Sequence, residues 1–421
     1  MAGAMQETFE LVDGLRTTAV IRVMGVGGGG CNTVNQMAQS GIGGVEFICA
    51  NTDRDHLEKC VPNQQLQLGT EITRGLGAGS NPEIGRQAAE EDRERIAEML
   101  EGTDLLFITS GMGGGTGTGA APVIAEVAKE MKILTVAVVT KPFPSEGKKR
   151  MAQAMHGITQ LQQQVDSLIV IPNEKLKLVL GGSVSLMNAF KAANDVLQNA
   201  VLGISDLITR PGMINLDFAD VRTVMSARGM AMMGIGKAGG DDRAKKAVEA
   251  ALSSPLLDDI EIRGARGILV NITCDESLTL DEQEYIMQHV GDVASEEADI
   301  KCGTAIDPGL NGELRVTVVA TGLSSSRRDE LSPNVTPFAP RRAPVPAYAA
   351  PAYGSSGNHH QAAPQMNLPP RVPGLRPMQP EPSGYARPAV VAVGAGGGAQ
   401  WLQELSDEVL DIPAFLRKQA D

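Results

Sequence analysis

The run Gly111-Met112-Gly113-Gly114-Gly115-Thr116-Gly117-Thr118-Gly119 holds six glycines in nine residues. It sits between an apolar run, Leu105 to Ile108, and an alanine-rich stretch, Ala120 to Ala128, that reads as a helix. A loop stripped of side chains lets several backbone N–H groups approach an anion. The helix start behind it adds partial positive charge. That chemistry is a phosphate cradle; a flexible glycine linker would lack the flanking strand and helix. It is not a P-loop, because no Gly-Lys-Ser/Thr closes it and the next lysine is Lys129. Backbone dipoles, the Thr116 and Thr118 hydroxyls and a metal must then meet the phosphate charge.

Two further glycine loops accompany it. Gly25-Val26-Gly27-Gly28-Gly29-Gly30 satisfies G-x-G-x-x-G, a weak dinucleotide signal with Glu46 or Asp53 as the ribose acid. Gly75-Leu76-Gly77-Ala78-Gly79-Ser80-Asn81-Pro82 leads into another helix. Three such loops suit one triphosphate held from several sides, with an NAD enzyme as the alternative.

Asn215-Leu216-Asp217-Phe218-Ala219-Asp220 places two carboxylates three apart at a helix start. One reading is capping, since acids there complement the helix dipole. The other is water-positioning chemistry, because no acid among the glycine loops does that work. The acids follow a long helical pattern, Ser185 to about Leu207, that exceeds 30 Å by the helical rise and would carry them away from the loops. A head-to-tail neighbour would then complete the site, and such a contact that does not close builds a filament.

The elements that must position these residues alternate. Strands are expected at Val20–Val26, Val45–Ala50, Asp104–Thr109, Ile133–Val139 and Ser167–Ile171. Helices are expected from Thr33, over Pro82–Leu100 and over Glu146–Gln164. This order implies a parallel sheet covered on both faces. After the long helix, strands are expected at Gly267–Thr273, Ile300–Ile306 and Leu314–Ala320, with helices near Asp217, Asp241 and Leu280. The expected fold is α/β: a Rossmann-like parallel-sheet domain over 18–184, a central helix over 185–210 and a smaller α+β domain over 211–323. A flexible arm over 1–17 precedes them.

Residues 331–400 hold fourteen of the 24 prolines, so 324–400 is expected to be a disordered linker. Pattern returns at 401–421, where an apolar and basic peptide at the end of a tether reads as a docking motif. Net charge of −13 argues against a general nucleic-acid binder. The N-terminus lacks the pattern of a signal peptide, and no apolar run approaches the roughly 18–20 residues of a membrane span. The five cysteines are scattered without a C-x-x-C pair, so neither zinc nor disulfides are indicated and reduced thiols are expected.

GVGGGGCN, ANTD, GLGAGSNPEIGR, GMGGGTGTGAAPV, VTKPFPSEGKKR, IPNEKL, FKAAND and NLDFADVRTVM stand in an order that resembles the bacterial FtsZ branch of the tubulin/FtsZ family, the tubulin-like cell-division GTPases. The bacterial-type loops and terminal peptide fit that branch better than tubulin itself. The resemblance covers nearly the whole chain. It implies GTP/GDP binding with Mg²⁺ held mostly through waters, and filaments at a mid-cell ring in the cytoplasm. Gly27, Gly28, Gly29, Gly30, Ala78, Gly79, Gly113, Gly114, Gly115, Thr116, Gly117 and Thr118 would wrap the phosphates. Glu146 and Arg150, four apart on one helical face, would reach the ribose and a phosphate, with an ordinary surface pair as the alternative. Asn32 and Asp195, next to Asn194, would bind the base, since a carboxylate accepts both guanine N1–H and N2–H. Phe190 would stack on the ring or serve as a core aromatic, and Asn173 would touch the sugar edge.

Asp217 and Asp220, supported by Asn215, would orient the attacking water in trans. A filament-forming binder with little hydrolysis is a further alternative, which the intact Asp217 and Asp220 disfavour. Asp411, Ile412, Pro413, Phe415, Leu416 and Arg417 look like the anchoring peptide, implying an FtsA-type actin-like membrane tether, other division regulators and only indirect membrane attachment. Cys31, at a helix start beside the phosphate loops, reads as a tolerated small side chain.

Overall fold

Most strands form from apolar segments, with the polar Gln64–Gln67 an exception. Ile21–Val26 (β1) is almost wholly buried, the pattern of a strand covered on both faces. It feeds directly into Gly27–Gln39 (α1). Glu46–Asn51 (β2), Arg54–Leu57 (α2), Gln64–Gln67 (β3), Thr70–Thr73 (α3), Pro82–Glu91 (α4) and Arg93–Leu100 (α5) follow. Next come Leu105–Gly111 (β4), Thr116–Glu130 (α6), Leu134–Lys141 (β5), Lys148–Gln162 (α7), Ser167–Pro172 (β6) and Asn173–Leu180 (α8). Leu186–Thr209 (α9) crosses to Phe218–Met225 (α10), Gly229–Gly239 (β7), Arg243–Leu252 (α11) and Gly267–Cys274 (β8). Leu280–Val293 (α12), Asp299–Ile306 (β9) and Glu313–Leu323 (β10) end the series. The computed structural model describes residues 19–62, 64–180, 184–210, 212–227, 229–257 and 262–323. The arm, linker and terminal peptide expected at 1–17, 324–400 and 401–421 lie outside the described residues.

One ten-stranded sheet runs in the order β3-β2-β1-β4-β5-β6-β7-β10-β8-β9. The first seven strands pair in parallel, and β10 is antiparallel to both β7 and β8. The order reverses between β1 and β4, so a crevice opens at the carboxyl ends of those two strands. Helix α1 packs into the apolar layer shared with α9, whereas α4, α5, α6 and α7 pack on the other face. α9 buries Leu197, Ala200, Val201, Ile204 and Leu207 against the parallel strands and against Met233, Leu269 and Val319 of β7, β8 and β10.

Five expectations are corrected. The glycines after β1 are the first turn of α1, not a turn before it. The charged helix at 82–100 breaks at Asp92, whose carboxylate accepts from Gly69 N at 2.7 Å and Arg95 at 2.7 Å. Glu146 ends a 3₁₀ turn, Pro144–Glu146, and α7 begins only after Gly147 at φ 99°, so Glu146 and Arg150 do not share one helix. β3, α2, α3 and α8 are additional elements. β7 is missing from the sequence reading because glycines stand where a strand would show side chains. Gly234 and Gly236 are required there: a Cβ would come within 2.0 Å of Ala251 O and 1.9 Å of Ala247 O on α11.

Candidate functional site

Strand register builds a row of loops. Val26 pairs with Ser110, Gly111 with Thr140 and Lys141 with Pro172, so the carboxyl ends of β1, β4, β5 and β6 lie side by side. Gly27, Gly113, the 142–147 turn and Asn173 emerge from adjacent positions at this edge. The α1 and α6 starts meet closely: a Cβ on Gly27, at φ 71°, would lie 2.7 Å from Gly117 N. Ser110 Oγ donates to Val26 O at 3.1 Å, tying the two strand ends.

The glycine tract divides into two kinds of position. A Cβ on Gly115 would meet Ala78 at 2.8 Å, and one on Gly119 would meet Pro82 O at 1.9 Å, so these glycines admit the 75–81 loop and α4. Gly28 and Gly114 face open space with nothing within 4 Å. Gly28, Gly29, Asn32 and Gly79 are exposed around that opening, and Ala78 is buried beneath it. Thr118 is buried and accepts from Gly113 N at 2.8 Å, so one side of its hydroxyl shapes the loop itself. Thr116 pairs with Thr52 at 2.5 Å, anchoring the α6 start to the end of β2.

The base-side candidates come from α9 facing α1. Asp195 Oδ1 accepts from Gln36 at 2.5 Å, and Asn194 Oδ1 accepts from Thr33 at 3.0 Å. Asn32 Oδ1 lies 3.0 Å from His56 Nε2. Phe190 packs edge-on to Phe143, centroids 5.4 Å apart, at the end of the same row. Glu146 Oε1 accepts from Phe143 N at 2.7 Å while its Oε2 lies 3.1 Å from Arg150 Nε. Asn173 is 3% exposed and its Oδ1 has no protein partner. A buried acceptor left unpaired costs roughly 1–3 kcal/mol, so a ligand hydroxyl or amine is the expected satisfier. Thr33, Gln36, Thr52 and His56 escaped the sequence reading. Thr33 and Gln36 share a helical face, but only the α1–α9 packing reveals what they meet.

The acids stand elsewhere. Asp217 is exposed and caps α10, its Oδ1 accepting from Asp220 N at 2.7 Å. Asp220 lies 3.5 Å from Lys301, and Asn215 Oδ1 accepts from Gly212 N at 2.8 Å. α10 approaches the opposite edge of the sheet: Arg222 and Ser226 line a cavity with Leu134, the first residue of β5, and Asp166, just before β6. An eight-residue strand separates the two edges by about 26 Å. The structure therefore gathers the glycine loops, Asn32, Glu146, Arg150, Asn173, Phe190, Asn194 and Asp195 at one edge and leaves Asn215, Asp217 and Asp220 at the other. Residues 411–417 lie outside the described residues.

Cys31, expected as a tolerated small side chain beside the phosphate loops, is fully buried. Its thiol turns away from the cleft, 3.4 Å from Gly25 O, and it clusters with Cys49 and Cys60. Hydrogen bonds from the Cys31 and Cys49 thiols, with His56, hold the Cys60 thiol well below its usual range. Contacts with Cys49 and Cys60, together with burial, push Cys31 up despite the helix dipole.

Known proteins resemble the chain in sequence and in fold. Residues 20–181 match the Tubulin/FtsZ family GTPase domain, and residues 229–324 match the FtsZ family C-terminal domain. The chain is 54% identical to cell division protein FtsZ of Pseudomonas aeruginosa over 98% of its own length and 100% of that protein. It is 61% identical to the Coxiella burnetii cell division protein FtsZ over 75% of its length and 82% of that protein. An FtsZ dimer from M. jannaschii superposes with TM-score 0.70 at 47% identity, covering 73% of this chain and 89% of that one.

Proposed function

Because the chain belongs to the FtsZ branch of the tubulin/FtsZ family, and is thereby a filament-forming cell-division GTPase, we propose that it hydrolyses GTP between head-to-tail subunits. The carrying observation is the separation of the two half-sites to opposite edges of the sheet. A molecule built this way does not bring its acids to its own phosphates, and a translated copy does. The repeated contact does not close, so it propagates as a filament.

In this reading the amides of Gly27–Gly30 and Gly113–Gly117, with the Ala78–Gly79 loop, receive the phosphates through backbone dipoles. Asn173 takes a ribose hydroxyl on its unpaired Oδ1, and Glu146 and Arg150 close the sugar side. Asp195, oriented by Gln36, accepts the guanine N1–H and N2–H that adenine lacks. Asn32 and Asn194 flank the base and Phe190 covers it. Asp217 and Asp220 of the next subunit accept hydrogen bonds from the attacking water and align it in line with the γ-phosphate, with Asn215 supporting the loop. The cradle's donors are amides and hydroxyls without a carboxylate, which fits Mg²⁺ held by the phosphates and water, where it offsets phosphate charge. The 18–184 part binds nucleotide, α9 spans, and the 211–323 part delivers the acids.

The terminal peptide, through Ile412, Phe415, Leu416 and the flanking Asp411, Pro413 and Arg417, docks to an FtsA-type tether and other regulators. Membrane attachment at a cytoplasmic mid-cell ring is then indirect; no helix among the described residues is long and apolar enough to cross a membrane.

Phosphate release measured against protein concentration, with ATP in parallel, tests the central claim. The expected result is a GTP-selective rate near zero below a threshold and climbing above it. Strict proportionality to concentration would place a complete site on each chain. An Asp220→Ala variant should bind GTP without turning it over. Mixing it with an Asp195→Ala variant should restore part of the rate, and no restoration would sink the shared site.

A further inference from the structure

Three of the five cysteines, distant in sequence, meet behind the nucleotide loops. Cys31 lies in the first turns of α1, Cys49 in β2, and Cys60 just beyond α2. The β1–β2 pairing sets Cys49 beside Gly25, and the Cys31 thiol lies 3.4 Å from Gly25 O and 3.6 Å from Ala50 O. Cys60 follows His56 by four residues through the turn that closes α2, with Cys60 N donating to Leu57 O at 3.0 Å. The donor atoms of Cys31, His56 and Cys60 all lie within 4.8 Å of one another. Among the described residues this is the only group of three or more such donors so placed.

We propose that Cys31, His56 and Cys60 form a binding site for a thiophilic divalent cation of the Zn²⁺ class, with the fourth position open to water. Two sulfurs and an imidazole without a carboxylate select a borderline-soft ion over Mg²⁺ or Ca²⁺. Zn–S and Zn–N bonds in a tetrahedron set donor atoms about 3.5–3.8 Å apart, so closure asks at most about 1.3 Å of any pair. Rotamer adjustment of side chains supplies that. None of the thiols is tied up in a disulfide. His56 is partly exposed, which gives the ion an entry path, and Cys31 is buried at the floor. With Nδ1 ligating, Nε2–H still donates to Asn32 Oδ1 at 3.0 Å, while Asn51 Nδ2, a donor 3.3 Å from Nδ1, gives up its bond. Such an outer partner fixes the orientation of a ligating imidazole. The same hydrogen bond joins the ion site to Asn32 at the rim of the nucleotide cleft.

Cobalt titration of the full-length, GDP-bound protein tests this, in excess Mg²⁺ so that the phosphates are already served, and with a non-thiol reductant. The expected spectrum saturates at one equivalent, with thiolate-to-cobalt charge-transfer and tetrahedral d–d bands, and one equivalent of Zn²⁺ abolishes it. Cys60→Ser and His56→Ala should each weaken binding by more than the ~10–100-fold that outer-sphere changes cost. Cys274→Ser and Cys302→Ser should leave it intact. On the unaltered chain, Zn²⁺ should slow alkylation of Cys60 read by peptide mass. The proposal is overturned if no charge-transfer band develops, if the band survives both ligand substitutions, or if Zn²⁺ leaves Cys60 alkylation unchanged.

Discussion

Asp217 caps α10 and, in the proposed mechanism, also aligns the attacking water; substitution can separate the two roles. Its Oδ1 caps α10 through Asp220 N, so Asp217→Ala should lose roughly 0.5–2 kcal/mol of helix stability. Asn keeps the cap and removes the charge. Asp217→Asn should therefore unfold in urea near the parent midpoint yet lose GTP turnover; retained turnover would reduce Asp217 to a cap. A different pair bears on acid stability. Arg243 forks onto Glu282 at 2.7 and 3.0 Å and also donates to Ser277 and Gly312. The Arg243 hydrogen bonds hold the Glu282 carboxyl below its ordinary range. A depressed folded value contributes stability above the unfolded pKa of about 4.3 and loses it as pH falls through the folded value. Glu282→Gln should accordingly flatten the acid limb of urea midpoints below about pH 4.3, and an unaltered limb would show that the pair is uncoupled from folding.

At the scale of elements, the glycines of one tract differ in what they do. Gly119 admits α4 against α6, and its Cβ would sit 1.9 Å from Pro82 O. Gly119→Ala should cost about 1–3 kcal/mol by overpacking. Gly114 faces open space, so Gly114→Ala should fold normally and weaken GTP binding at the mouth of the cradle. Paired urea and nucleotide titrations check both; equal loss of stability in the two variants would erase the distinction. The tract, its strand and its helix were legible because close backbone approach and apolar runs are written locally. The split of α4 from α5 was not, since the Asp92 carboxylate at the break is held by Gly69 N of a distant turn as well as by its neighbour Arg95. β7 was illegible for a related reason: its glycines answer to α11 carbonyls that no local pattern announces.

At the scale of the whole molecule, α9 spans about 36 Å by its 24 residues and shares one core with both parts of the sheet. Nucleotide loops and acids are thus held a fixed distance apart, as a repeating head-to-tail contact requires. The docking role proposed for the terminal peptide is tested separately. Removing residues 401–421 should leave the concentration threshold and GTP turnover unchanged and abolish capture by an actin-like tether; unchanged tether affinity would refute the docking role. The order of motifs along the chain already specified a glycine tract between strand and helix, an alternating α/β sheet and a pair of acids beyond a long helix. These depend on backbone chemistry and periodicity within a few residues. Which groups meet was settled by strand order and helix packing. The 3-2-1-4-5-6 arrangement lined up four loops at one edge, α1 against α9 joined Gln36 to Asp195, and the β1–β2 pairing turned three scattered cysteines into one cluster. Contacts between segments far apart in the chain follow from burying shared apolar faces, and no local window of sequence carries that information.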